Sequence, residues 1–263
     1  MEEPGTVYFT GTAGAGKTSL VRAFAEWMRS AGYDVTVVNL DPGSESDANG
    51  TDVDIREWVR LSEIEDEYDL GPNGAQVAAA DMIALKVFDV KQAIQELKAD
   101  YVLIDTPGQI ELFAFREASK AIVDALSGDR SVLAFLFDPA LARTPGGFVA
   151  LVMLSATLEF RFRLPMVNVL SKSDVLTPEQ LAEVVAWSDE PGQLYEAVTR
   201  DAPTPDVQLS TELFRAIETM GPLLGLIPTS SRDSTGLEPL YQSCQRVFGG
   251  AEDLEPSHAP AND

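Results

Sequence analysis

The chain has little with which to do cysteine, histidine or basic-surface chemistry. It holds one cysteine, Cys244, in 263 residues. No disulfide can form within it, which is expected of a protein kept in a reducing cytosol, and a lone cysteine in a helical pattern reads as a small apolar filler. The one histidine, His258, lies in a polar terminal stretch, which excludes catalysis or metal binding built on imidazoles. Cationic residues are scarce: 19 Lys and Arg stand against 42 Asp and Glu, a formal charge of −23. So acidic a chain offers no basic surface for nucleic acid and no attraction to an anionic membrane. Its balance is that expected of a protein working at high salt, where screening removes self-repulsion. No uninterrupted apolar run is long enough to cross a bilayer, and the first β-prone run starts too early for a signal peptide, so the expected location is cytoplasmic.

What is present is an alternation. Apolar, β-prone runs near residues 7–10, 35–40, 101–105, 132–138, 166–170 and 226–229 are separated by helical patterns. Strands apolar on nearly every residue are covered on both faces, so the expected fold is an α/β three-layer sandwich with a mostly parallel sheet and helices on both sides. The pattern predicts a helix over 19–31, a helical excursion over about 55–98, a broad apolar helix over 148–162, and two short helices within 178–198 parted by Pro191-Gly192. The polar stretch from Asp41 to Asp54 is too rich in Gly, Asn, Asp and Ser to be a packed element and reads as a switch loop. One domain over 1–248 and a disordered acidic tail over 249–263 are expected.

Directly after Val7-Tyr8-Phe9 comes Gly11-Thr12-Ala13-Gly14-Ala15-Gly16-Lys17-Thr18-Ser19, which fits the phosphate-binding pattern Gly-x4-Gly-Lys-Thr between a strand and a helix. A backbone that wraps phosphate oxygens must turn tightly with its amides inward, which the glycines permit. Lys17 supplies a point charge between the outer phosphates and Thr18 a hydroxyl for Mg²⁺, while the helix offers its amino end to the same anion. A second stretch, Asp105-Thr106-Pro107-Gly108-Gln109-Ile110-Glu111, ends a strand. Asp105 is then level with the phosphate loop and can hold Mg²⁺ through a water, and the Gly108 amide can sense a γ-phosphate. Gln109 and Glu111 can orient a water or accept its proton. A third, Ser171-Lys172-Ser173-Asp174, approximates the guanine-reading Asn-Lys-x-Asp. Its carboxylate accepts from the guanine N1–H and exocyclic amine, a donor pair that adenine lacks. Thr229-Ser230-Ser231 follows the last strand and reads as the loop closing over the base.

These motifs and their order resemble the GPN-loop GTPases. The likeness also takes in Asn39-Leu40-Asp41-Pro42 and the namesake Gly71-Pro72-Asn73, a run whose residue types alone would read as a turn. The family commonly has serine at the position of Ser171. The resemblance implies binding of GTP and GDP with Mg²⁺ and hydrolysis of GTP by a dimer, here a homodimer, used as a conformational switch or assembly factor. It implies that Asn73 of one subunit reaches the γ-phosphate region of the other, that Gln109 and Glu111 position the attacking water, and that Asp41 joins Thr18 and Asp105 at Mg²⁺. It also implies a protein client, RNA polymerase under assembly in nucleated cells. An ATPase of the partitioning type would carry a lysine where Thr12 stands. A small-molecule kinase and a nucleotide-dependent dimerisation scaffold with little turnover share the same phosphate loop and stay open.

Overall fold

The computed structural model describes residues 3–44, 50–200, 212, 215 and 225–248. Among them the chain runs β1 (Gly5–Gly11), α1 (Lys17–Ser30), β2 (Val35–Asn39), β3 (Val53–Asp54), α2 (Leu61–Tyr68), α3 (Pro72–Leu97), β4 (Tyr101–Asp105), α4 (Ile110–Ala114) and α5 (Glu117–Leu126). It continues through β5 (Ser131–Phe137), α6 (Pro139–Ala142), α7 (Pro145–Phe162), β6 (Met166–Leu170), α8 (Pro178–Asp189), α9 (Pro191–Arg200), β7 (Leu226–Pro228) and α10 (Leu237–Val247). The strands form one sheet in the order β3-β2-β4-β1-β5-β6-β7, and every pairing is parallel. The chain travels out from β1 to β3, returns to β4, and crosses β1 to build β5, β6 and β7. The loops at the carboxyl ends of β1, β4 and β5 therefore part in opposite directions, and a crevice for a ligand opens between them.

The strands alternate strictly between two cores. Val7, Phe9, Val37, Leu103, Ala134 and Val169 face α1 and α10. Tyr8, Val38, Ile104, Phe135 and Leu170 face the layer that contains α3, α5, α7, α8 and α9. This period of two is what a strand buried on both faces requires. Phe24 of α1 is 1% exposed and packs edge-on to Phe9 and flat against Trp27, at centroid distances of 6.0 and 6.1 Å. Phe24→Ala will lower the unfolding free energy by about 3–5 kcal/mol, measured by denaturant titration; a loss under about 1 kcal/mol would show that this layer relaxes around the gap.

Two expectations need correction. Residues 53 and 54 are not loop: they form β3, with Val38 opposite Val53 and Asn39 opposite Asp54. The cause is local, since Asp52 accepts from the Val37 amide and from Arg29, holding the chain against the sheet edge while Val53 and Ile55 are buried. Two residues carry no legible period. The run Gly71-Pro72-Asn73-Gly74 is not an isolated turn either: Gly71 caps α3 and Pro72 occupies its first turn, where a missing N–H costs nothing. The two helices around Pro191 are present as read. α7 is long and apolar enough, by length and composition, to reach across a bilayer; here its Phe148, Leu151, Val152, Leu158 and Phe162 are buried in the core. The central part of the expected switch loop, 45–49, and the tail 249–263 lie outside the described residues.

Candidate nucleotide-binding site

β1 ends at Gly11 and α1 begins at Lys17, so residues 12–16 form the glycine turn on the carboxyl edge of the sheet. Gly16 has φ +88, and a Cβ there would come within 3.0 Å of Lys172 Cε. Glycine suits this point because the backbone is left-handed, a conformation that strains any other side chain. Ala15 is buried beneath the turn, whereas Ala13, Gly14 and Ser19 are exposed. The Lys17 ammonium donates to the carbonyls of Gly11, Thr12 and Gly108 at 3.0, 3.1 and 3.1 Å. Burial pulls its pKa down, and the charges of Asp105 and Asp41 oppose that shift.

Thr18 donates through its hydroxyl to Asp105 Oδ2 at 2.6 Å. The other oxygen, Asp105 Oδ1, is buried with no hydrogen-bond partner, an unusual state for a carboxylate. Burial pushes the Asp105 carboxyl up to about 6, against the Thr18 hydrogen bond and the Lys17 charge. A carboxyl raised in this way stabilises the fold at low pH and gives that stability up as pH climbs through its folded pKa. The metal-free protein will therefore lose roughly 3 kcal/mol from this group as pH rises from about 4 to about 7. Asp105→Asn will flatten that dependence in urea unfolding at stepped pH; parallel curves for the two chains would contradict it.

Asp41 stands across from this pair. Its Oδ1 accepts from the Gly43 amide at 2.9 Å and its Oδ2 from the Gly108 amide at 2.8 Å. The amide expected to meet a γ-phosphate is thus held by a carboxylate in this state. Asn39, at the end of β2, fixes the Asp41 backbone from both sides: it accepts from the Asp41 amide at 3.0 Å and donates to the Asp41 carbonyl at 3.2 Å. Asn39 also donates to Asp54, which is clasped by the Arg56 guanidinium. Burial pushes the Asp54 carboxyl up, but the hydrogen bonds from Arg56 and Asn39 outweigh it and leave its pKa below the usual range. The supporting group at Asn39 was within a recognised motif; the Asp54–Arg56 clasp carried no sequence signal.

Asp41, Gly43, Pro107, Gly108, Gln109 and Gln76 line a cavity of about 220 Å³ beside Ala13 of the glycine turn. Gln109 reaches it and Glu111, exposed in the first turn of α4, is not among its lining residues. Asn73 is exposed in the first turn of α3 and does not line this cavity.

The base-side loops are tied to the glycine turn. Lys172 donates to the Gly14 carbonyl and forms an ion pair with Asp138 at 3.5 Å. Asp138 sits one residue past β5 on the same edge as Asp105, a placement the strand pattern already implied. Ser171 is buried and bonded through its hydroxyl to the Phe137 carbonyl. Asp174 lies in the short turn Ser173–Val175, with Arg232 4.0 Å away. The Ser173 amide donates to the Thr229 carbonyl and the Thr229 amide to the Leu170 carbonyl, joining the two loops. Thr229 and Ser230 are buried and Ser231 is exposed. A Cβ on Gly236 would fall 1.9 Å from the Pro228 carbonyl oxygen, so glycine alone lets this loop close.

The glycine turn, its lysine and the carboxylates at the ends of β2 and β4 place the chain among the P-loop nucleoside-triphosphate-binding proteins. A family model described as "Conserved hypothetical ATP binding protein" matches residues 9–250. Curated relatives include GPN-loop GTPase 3 of Dictyostelium discoideum, 29% identical over 95% of this chain and 89% of that protein. GPN-loop GTPase 1 of the same organism is 27% identical over 92% of this chain and 61% of its own length. GPN-loop GTPase QQT2 of Arabidopsis thaliana is 34% identical over 63% of this chain and 44% of its own. The chain thus spans less than two thirds of two of these three relatives. Among solved structures, a GTPase from Pyrococcus abyssi in its apo form superposes with a TM-score of 0.84 at 27% identity, over 93% of this chain and 97% of that one. The chain belongs to the GPN-loop GTPase family.

Proposed function

We propose that this chain is a Mg²⁺-dependent GTPase that hydrolyses GTP to GDP and phosphate, acts as a cytoplasmic homodimer, and serves as a conformational switch or assembly factor. One observation carries the reading. Lys172 ties the Ser171–Asp174 turn to the glycine turn, so a carboxylate able to read guanine and a loop able to hold phosphates belong to one continuous surface. Thr12, where a partitioning ATPase would have lysine, supports the same choice.

The residues present fit Mg²⁺. Asp105 Oδ1 is a buried acceptor without a partner and Thr18 adjoins it. Thr18, Asp105 and Asp41 would hold it, and when bound it supplies charge that neutralises the γ-phosphate oxygens. Lys17 would leave the carbonyls of Gly11, Thr12 and Gly108 for the outer phosphates. Gly108 would then offer its amide to the γ-phosphate, and Gln109, already at the cavity, would orient the water. Glu111 would assist after movement of α4. Ser171, Lys172, Asp174, Thr229, Ser230 and Ser231 would enclose the base. The catalysis is positioning and charge stabilisation, without a covalent intermediate.

The test is turnover of GTP and ATP side by side, with and without Mg²⁺, together with molar mass in each nucleotide state. GTP hydrolysis that needs Mg²⁺, from a dimer, is expected. Equal ATP turnover, or a monomer in the GTP state, would overturn the reading.

A further inference from the structure

Gln76 lies in the second turn of α3, and its side-chain oxygen Oε1 is buried with no hydrogen-bond partner. Its carboxamide lies against Gly43, with Nε2 3.8 Å from where a Cβ on that glycine would stand. Gln76 and Gly43 line the same cavity as Asp41 and Gly108. A buried acceptor left unpaired is costly and rare, so an orphan oxygen marks an arrangement that another state completes.

The missing donor can be named. In this structure the Asp41 carboxylate holds two amides at once, Gly43 N–H on Oδ1 and Gly108 N–H on Oδ2. If Asp41 turns towards Mg²⁺ and Gly108 N–H towards a γ-phosphate, the Gly43 N–H loses its acceptor. The Asp41 backbone need not move, because Asn39 clamps it on both sides. On α3, the buried side-chain acceptor without a partner among the described residues is Gln76 Oε1.

We infer that Gln76 is a positioning residue: when Asp41 leaves the Gly43 amide, the Gln76 carboxamide, whose nitrogen faces Gly43 in this structure, turns over so that Oε1 takes that amide and holds the 41–43 segment in its triphosphate-bound place. One orphan oxygen and one orphaned amide then satisfy each other, so the hand-over favours the Mg²⁺·GTP state. Asn73 stands three residues earlier, in the first turn of α3, so the hand-over also links the switch segment to the residue offered to a partner. The inference rests on the GTPase reading above and goes beyond it by naming what stabilises the switched segment.

Gln76→Met, which keeps the volume and removes the acceptor, tests it. The nucleotide-free variant should unfold at the same temperature as the parent or higher, because it loses an unpaired polar group. Affinity for GDP without Mg²⁺ should stay within about twofold of the parent, while affinity for Mg²⁺·GTPγS and kcat each fall about tenfold. Unchanged Mg²⁺·GTPγS affinity would overturn the inference, and so would a nucleotide-free variant that loses thermal stability in step with its affinity, since that is a packing defect. A parent chain that binds GTPγS equally with and without Mg²⁺ would instead overturn the GTPase reading, and this inference with it.

Discussion

An Asn73→Ala chain mixed with a Lys17→Ala chain will hydrolyse GTP although neither does so appreciably alone. Lys17 lies at the heart of its own phosphate loop, bonded there to the carbonyls of Gly11 and Thr12 and, across the site, to that of Gly108. Asn73 is exposed and lines no part of its own cavity. From that exposed position, the expected place for Asn73 to act is the site of another copy of the chain. Loss of such a donor costs about 10²–10³-fold in kcat, as for other pre-placed donors to developing negative charge. In a freely exchanging equal mixture half the dimers pair unlike chains, and each such dimer has one intact site of its two. About a quarter of the parent activity should return. With differently tagged chains, co-purification reports whether mixed dimers formed. Mixed dimers without recovered turnover would refute action in trans.

Asp174→Asn will move the preference from GTP to xanthosine triphosphate. A carboxylate offers two acceptors, which match the N1–H and amine of guanine; an amide offers one donor and one acceptor, which match xanthine. A site that loses its matched buried partner discriminates strongly, so GTP affinity should fall by at least about 10²-fold while xanthosine triphosphate binds better than it does to the parent. The turn that carries Asp174 is held by Ser173 and Thr229 backbone hydrogen bonds, which the substitution does not touch. Fold and metal dependence should therefore persist, and competitive binding of the two nucleotides reads the effect. Equal GTP affinity in both chains would remove Asp174 from the base site.

Much of the framework was legible because it is periodic. β4 and β6 occupy the residues the apolar runs marked, and β1, β2, β5 and β7 lie within a few residues of them. Cys244 is a buried filler as read, with burial pushing its thiol up to about 12, where it is inert. β3 was missed because two residues carry no pattern, and what pins them is Asp52 reaching across to Val37.

The same division holds at the site. Chain order alone determined that a glycine turn, Asp105 and the Ser171–Asp174 turn would share one edge of a parallel sheet, because each follows a strand and parallel strands end on the same side. The pattern also marked Gly16, and the structure gives the reason, since its backbone is left-handed with φ +88. Which side chains meet was decided by the tertiary structure. The sheet sets Asn39 opposite Asp54 across β2 and β3, so the Asn39 amide that clamps Asp41 is itself held by the Asp54 carboxylate. The packing of α3 turns Gln76 inward and leaves Asn73 outward. No local pattern encodes that difference, because both are polar residues three apart on one helix, and only the elements packed against that helix tell them apart.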